Sequence, residues 1–280
     1  MISAIAAAAV AAGLTGCGTM PIAYKDAVQS IEKVAVVSVS ANERIYNAKG
    51  GPKSDAEYGD LKKKAEERKE YTGKTTDTTQ ETTEEIVQTT PGIYMEVLGD
   101  VADWELIPVS EVKDMPAYQQ AEGEPVDEKH FIPTLVIPGT KYYNPFRDNR
   151  FYREQNQKTE QALMELCQAM DVDAVMVLRT KLGYEPQGMQ LLGGLGGLLA
   201  GKKTKAKPTV GTGILVLTKN GARAVYTVTE MKYQGPEVSM LQAGLVNFTG
   251  DEGPAVKAYE QAIEAIAQAL AERIKKDLAQ

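Results

Sequence analysis

Thiol and imidazole chemistry in this 280-residue chain is confined to Cys17, Cys167 and His130. A zinc-type metal site needs three or four convergent His or Cys ligands, which this set does not supply. A Ser-His-Asp or Cys-His nucleophilic machine would have to rest on His130, with Asp127 and Glu128 as its sequence neighbours, because an activated nucleophile requires an adjacent base held by a third group. A surface loop explains that trio equally well. Asp171 and Asp173 form a second carboxylate pair at the entrance to a strand, where helix termination and solubility explain them better than acid–base work. Cys167 shares a helical face with Leu163, Leu166 and Met170, the setting of a packed core thiol rather than a reactive one. The chain is therefore not expected to be an enzyme, and no metal is expected. A hydrolase using His130 is the alternative of another class.

The other unusual constellation is Met189 to Gly201, rich in Gly and Leu, followed by Lys202-Lys203-Thr204-Lys205-Ala206-Lys207. Gly196 and Gly201-Lys202 have the spacing of a phosphate-binding loop. Lys203, however, stands where a Ser or Thr should hold magnesium, so no nucleotide is expected. Gly193, Gly197 and Gly201 are spaced as in close-packed membrane helices, and the lysines suit anionic head groups. The apolar part falls short of the roughly 20 residues that span a bilayer as a helix. Leu191, Leu192, Leu195, Leu198, Leu199, Lys202 and Lys203 are thus the candidate membrane or partner contact. The competing expectation is a weakly ordered Gly/Leu excursion covered by the protein or by a partner.

At the amino terminus, Ile2 to Leu14 is an Ala-rich apolar run ending in Leu14-Thr15-Gly16-Cys17. It is too short to cross a membrane and fits the apolar region of an export signal, although no Lys or Arg precedes it where a basic segment is the rule. The closing tetrapeptide resembles the lipobox of bacterial lipoproteins. That resemblance implies diacylglycerol on the Cys17 thiol, cleavage between Gly16 and Cys17, and a palmitate-type acyl chain on the new amino group. This covalent lipid would be the only cofactor. Gly18 rather than Asp follows the Cys, which in enteric bacteria implies the periplasmic face of the outer membrane.

A lipidated Cys17 leaves Cys167 without an intramolecular partner, so no disulfide framework is expected. The net charge of −7 argues against nucleic-acid binding, which needs a basic footprint. A hydrophobic content of 43% is enough for a real core.

The pattern along the chain predicts a signal over 1–16, a lipidated tether over 17–30 and a single α/β domain over 31–280, with insertions at about 41–80, 121–153 and 186–211. Lys33 to Val39 reads as a strand buried on both faces. Asp55 to Tyr71 reads as a polar helix with i,i+4 charge pairs, and a Thr-rich run follows it. A helix near Thr82 is either kinked at Pro91 or begins there with Thr90 as its cap. Trp104 to Val109 predicts a short strand and Ser110 to Gln120 a brief helix broken at Pro116. The excursion from Ala121 to Arg153 carries aromatics suited to packing across the domain, with a small strand at Thr134 to Ile137. Gln155 to Met170 predicts a helix, and Ala174 to Leu178 a buried strand. Gly213 to Thr218 and Ala222 to Lys232 form a hairpin through Lys219-Asn220-Gly221, the second strand solvated on one face. Gly253 to Leu278 reads as a long amphipathic helix. The fold class is α/β: a mixed sheet of about five strands covered by helices.

The lipobox, Val34-Ala35-Val36-Val37, a helix running into Met170-Asp171-Val172-Asp173-Ala174-Val175-Met176-Val177, the hairpin and the long last helix together resemble one group. It comprises the curli secretion channel and the TolB amino-terminal domain, with lipoprotein activators of peptidoglycan synthases. Asp171 to Val175 is similar to the group's junction of helix, acidic residue, Ala and strand. The match covers the core, and the insertions depart from it. The resemblance implies a periplasmic lipoprotein that binds other envelope proteins or self-assembles. Channel members convert loops into membrane β-hairpins, which need segments of about 10 alternating residues. Neither Ala41 to Thr79 nor Gly188 to Val210 alternates clearly. A non-catalytic binding or assembly module for envelope proteins is therefore preferred. An oligomeric secretion-channel component is the first alternative, and an envelope hydrolase using His130 the second.

Overall fold

The computed structural model describes residues 22–43, 45–47, 78–126, 134–147, 149–187, 205–227, 231–234, 238–239 and 253–280. The elements in chain order are α1 (Lys25–Gln29), β1 (Lys33–Asn42), β2 (Tyr46–Asn47), α2 (Thr78–Ala102), β3 (Glu105–Ile107), α3 (Val109–Val112) and α4 (Pro116–Gln120). They continue with β4 (Thr134–Val136), α5 (Asn149–Ala169), β5 (Ala174–Gln187), β6 (Lys205–Thr218), β7 (Arg223–Tyr226), β8 (Met231–Gln234), β9 (Val238–Ser239) and α6 (Gly253–Leu278).

The strands form one mixed sheet with the main path β3-β1-β5-β6-β7. β3, β1 and β5 are parallel, while β6 and β7 run antiparallel to them. Helices cover both faces, which is why the central strands are apolar on both sides. On one face Val34, Val36, Met176, Leu178, Ile214 and Val216 pack against the buried stripes of α2 and α6, including Ile86, Tyr94, Leu98, Tyr259, Ile263 and Ile274. On the other, Ala35, Val37, Val175, Val177, Leu215 and Leu217 meet Leu163, Leu166 and Cys167 of α5, Val112 of α3 and Tyr118 of α4. An α/β class with a long last helix is what the hydrophobic pattern predicts.

Several elements differ from the sequence expectation. α2 runs through Pro91, so of the two alternatives it is the start at Pro91 with Thr90 as cap that is overturned. An interior proline costs about 3 kcal/mol or more, but Ile86 and Val87 before it and Tyr94 and Leu98 after it are all buried. Burying each such side chain gains about 1.5–3 kcal/mol, so packing outweighs the break. Residues 22–30, expected as tether, belong to the fold: Ala23 bridges Val225, and Ala23 and Val28 are buried. β5 continues past Leu178 to Gln187 and β6 begins at Lys205, so the two pair over their full length. The second hairpin strand stops at Tyr226, with Ala224 and Val225 both fully buried. β8 then pairs β6 further along, opposite Thr209 to Thr212. The Asn-Gly turn forms as expected, with Gly221 at φ +79; a Cβ there would come within 2.9 Å of Met164 Sδ.

The charged segment 55–71 and the Thr-rich run that ends the insertion before α2 lie outside the described residues, apart from the stretch within α2. Of the excursion aromatics, Tyr142 and Tyr143 are buried as packing groups, whereas Phe151 is 75% exposed.

Candidate functional site

Of the carboxylate pair at the α5–β5 junction, Asp173 comes out as a fastener. Asp171 adopts a positive φ of 55 to turn the chain out of the helix. Asp173 Oδ2 accepts the backbone N–H groups of Glu32 and Lys33, each at 3.1 Å. Its Oδ1 accepts Lys219 Nζ at 2.9 Å. The hydrogen bond from Lys219, then that from Lys33, holds the Asp173 carboxyl below its ordinary range. One side chain thereby joins the start of β1, the start of β5 and the β6–β7 turn. Cys167 is fully buried and donates its thiol to the Val172 carbonyl at 3.2 Å. Burial pushes the thiol up to about 11, so it stays protonated and inert. His130, Asp127 and Glu128 lie outside the described residues. Among the described residues no three His, Cys, Asp or Glu side chains converge as metal ligands.

A second polar cluster fixes the excursion against the α5 face. Glu124 Oε2 accepts Arg147 Nη2 at 2.7 Å and the Asn144 N–H at 3.1 Å, and the Thr159 hydroxyl donates to Glu124 Oε1. Arg147 Nη1 donates to the Asn144 carbonyl at 2.6 Å. Tyr118 donates to the Val37 carbonyl and accepts the Lys141 N–H, both at 2.7 Å. Burial holds the Tyr118 hydroxyl up at about 12. These bonds all run between segments of the same chain, so the cluster reads as a clamp.

The remaining surface is different. Between α5 and β7 lies an open cleft of about 470 Å³ lined by Arg150, Arg153, Asn156, Gln157 and Arg223. Arg223 pairs with Glu160 at 2.6 Å and lies 4.5 Å from the centre of the Tyr226 ring. The exposed Phe151 sits beneath the Arg150 guanidinium at 5.7 Å. β5 and β6 run on together to the pair Gln187 and Lys205, an extension (the β5–β6 arm) flanked by β2 on the β5 side and by β8 and β9 on the β6 side. Towards α6, Leu182 and Val210 are buried, and Tyr259 donates its hydroxyl to the Gly183 carbonyl at 2.7 Å. On the opposite face, Phe146 lies against Gly213, where a Cβ would come within 3.2 Å of its ring. Further along that face Lys181, Gly183, Lys207 and Thr209 are only half buried.

The first described residues lie beside β7, at the same edge as the cleft. Tyr226 donates its N–H to the Ile22 carbonyl at 2.8 Å, Tyr24 donates to the Ala224 carbonyl at 3.0 Å, and Asp277 Oδ2 accepts the Ile22 N–H at 2.8 Å. The pairing is antiparallel.

Gly16 and Cys17 lie outside the described residues, as do Leu191, Leu192, Leu195, Leu198, Leu199, Lys202 and Lys203. The structure does bring Gln187 and Lys205, the ends flanking the Gly/Leu segment, directly opposite each other. Sequence reasoning did not single out Arg150, Arg153 or Arg223, and it counted Phe151 among the aromatics expected to pack across the domain. The Arg-rich composition of the excursion was the available signal for Arg150 and Arg153, while Arg223 joins them only through tertiary contact. No protein-family model matches this chain, and no curated protein is significantly similar to it.

Proposed function

We propose that this chain is a bacterial lipoprotein, anchored through lipid on Cys17 at the periplasmic face of the outer membrane, and that it acts without catalysis as a binding or assembly module for envelope proteins. The observation that carries the reading is the stitching of Ile22 to Tyr226. Residues 18–21 alone separate Cys17 from the folded sheet, a span of at most about 18 Å when fully extended. A lipid on Cys17 therefore holds the domain against a bilayer. Asp173 and Cys167, two of the side chains that look most chemical in the sequence, are bonded into the fold, which favours binding over turnover. The Gly/Leu segment with Leu191, Leu192, Leu195, Leu198, Leu199, Lys202 and Lys203, at the end of the β5–β6 arm, is the proposed contact with membrane or partner.

Fractionation and crosslinking in intact bacteria test this. The chain is expected in the outer-membrane fraction, crosslinked to a distinct envelope protein, and Cys17→Ser releases it to the soluble fraction. A Cys17→Ser chain that stays membrane-bound as before would contradict the anchor. A homo-oligomer of ring size in place of a distinct partner would favour the channel alternative.

A further inference from the structure

We infer that Arg179 and Ser40, on the face of the sheet that α5 partly covers, form a binding site for a single carboxylate group. The site is separate from the proposed anchor at Cys17 and stands or falls without it.

Its floor is one row of residues across four strands. Ser40 of β1 is in register with Val136 of β4 on one side and with Arg179 of β5 on the other, and Arg179 is in register with Gly213 of β6. Side chains alternate between the two faces along a strand. Val39, Ala41, Leu178 and Ile214 belong to the core under α2 and α6, and Leu135 and Ile137 pack against it. The four residues of the row therefore face the other way. There Phe146 lies over Gly213, and Asn144 reaches Arg179.

The row brings donors together without an acceptor to match. Arg179 is half-buried, and among the described residues no carboxylate pairs with it. Its guanidinium has five N–H donors and makes one hydrogen bond, to Asn144 Oδ1 at 3.4 Å. That is long for such a bond, and the same oxygen already accepts the Phe146 N–H at 3.2 Å. Beside Arg179, Ser40 is 1% exposed and its hydroxyl has no hydrogen-bond partner, a state that folded chains disfavour. A planar carboxylate supplies what is missing. Its two oxygens accept the guanidinium fork and keep lone pairs for a hydroxyl. Arg179, held by one long bond, is the member that turns to take it, and its turning uncovers Ser40. A phosphate would direct its further oxygens towards Val136 and the Phe146 ring.

The place in the fold is the second support. β1 leads to α2 on one face, and β3 leads through α3, α4 and β4 to α5 on the other. The carboxyl ends of these two strands thus mark the switch point of the sheet, where open α/β sheets bind ligands. Ser40 lies near the carboxyl end of β1. The carboxylate belongs either to a small acid or to an acidic side chain of another polypeptide.

The test is an NMR titration of the intact chain, reading the amide signals of Arg179 and Gly213. The probes are acetate, its uncharged isostere acetamide, inorganic phosphate, and acetyl-Gly-Glu-Gly-amide, whose one carboxylate is a side chain. Acetate or the peptide should shift these signals saturably, and acetamide and phosphate should not. Tighter binding of the peptide assigns the polypeptide source, and tighter binding of acetate the small acid. Arg179→Lys loses the fork and should weaken binding roughly tenfold, and Ser40→Ala about fivefold. Without any probe, Ser40→Ala should melt no lower than wild type, because it removes a buried hydroxyl that has no partner. Saturation by neither carboxylate, equal binding of acetamide or phosphate, unchanged affinity in the two variants, or a lowered melting temperature of Ser40→Ala overturns the inference.

Discussion

At one end of the sheet a single carboxylate, Asp173, holds two strand starts and a turn together. At the other end β5 and β6 run on past Phe146, with Leu182 and Val210 packed on one face and Lys181 and Lys207 half exposed on the other. At the first end the carboxylate is consumed by the fold, whereas at the second Lys181 and Lys207 stand on a half-exposed face. Polar side chains bound to their own chain act on stability, whereas charged groups facing water act on what approaches. Asp171, Asp173 and Cys167, the residues that look most chemical in the sequence, all lie at the fastened end.

Substitutions can break this contrast. The largest effect is expected between the ends, at the sheet centre. Leu178 is fully buried, and Leu178→Ala should cost roughly 2–5 kcal/mol, read as a lowered denaturation midpoint. At the Asp173 end, Asp173→Ala removes the acceptor of three hydrogen bonds and should cost roughly 1–2 kcal/mol. Because its folded-state carboxyl is held low, the stabilisation is complete above the ordinary aspartate range near 3.9. It is lost as pH falls through the folded value. Wild type and Asp173→Asn should therefore converge in stability on acidification, and a constant gap down to strongly acidic pH would contradict the fastener. At the arm end, Lys181→Ala with Lys207→Ala should change stability by no more than about 0.5 kcal/mol each. A large loss there would mean that the arm is core and not surface.

Much of the sandwich was legible in the sequence because its signals are local. Val34 to Val37 is a continuous β-branched and alanine run, Lys219-Asn220-Gly221 has turn chemistry, and Val256 to Ile274 repeats at helical spacing. The arm was not legible. Pro186 and Pro208 punctuate it as loop signals, yet Pro208 pairs with Tyr184 on one side and falls between the stretches bound by β9 and β8 on the other. Its missing N–H thus costs the ladder little. At Pro91 the sequence leaves open whether the helix passes through or begins there, because a proline is a local signal and the packing that carries the helix through it is tertiary. The cleft escaped notice for the same reason. Arg150 and Arg223 are far apart in sequence and meet only when α5 lies against β7.

Direct evidence on the anchor lies in the amino-terminal tryptic peptide of the full chain expressed in a bacterium. A lipoprotein yields Cys17–Lys25 carrying the mass of a diacylglycerol and an acyl chain. An unmodified Cys17 inside a peptide that still begins at Met1 would contradict the anchor and, with it, the proposed place of the domain at a membrane.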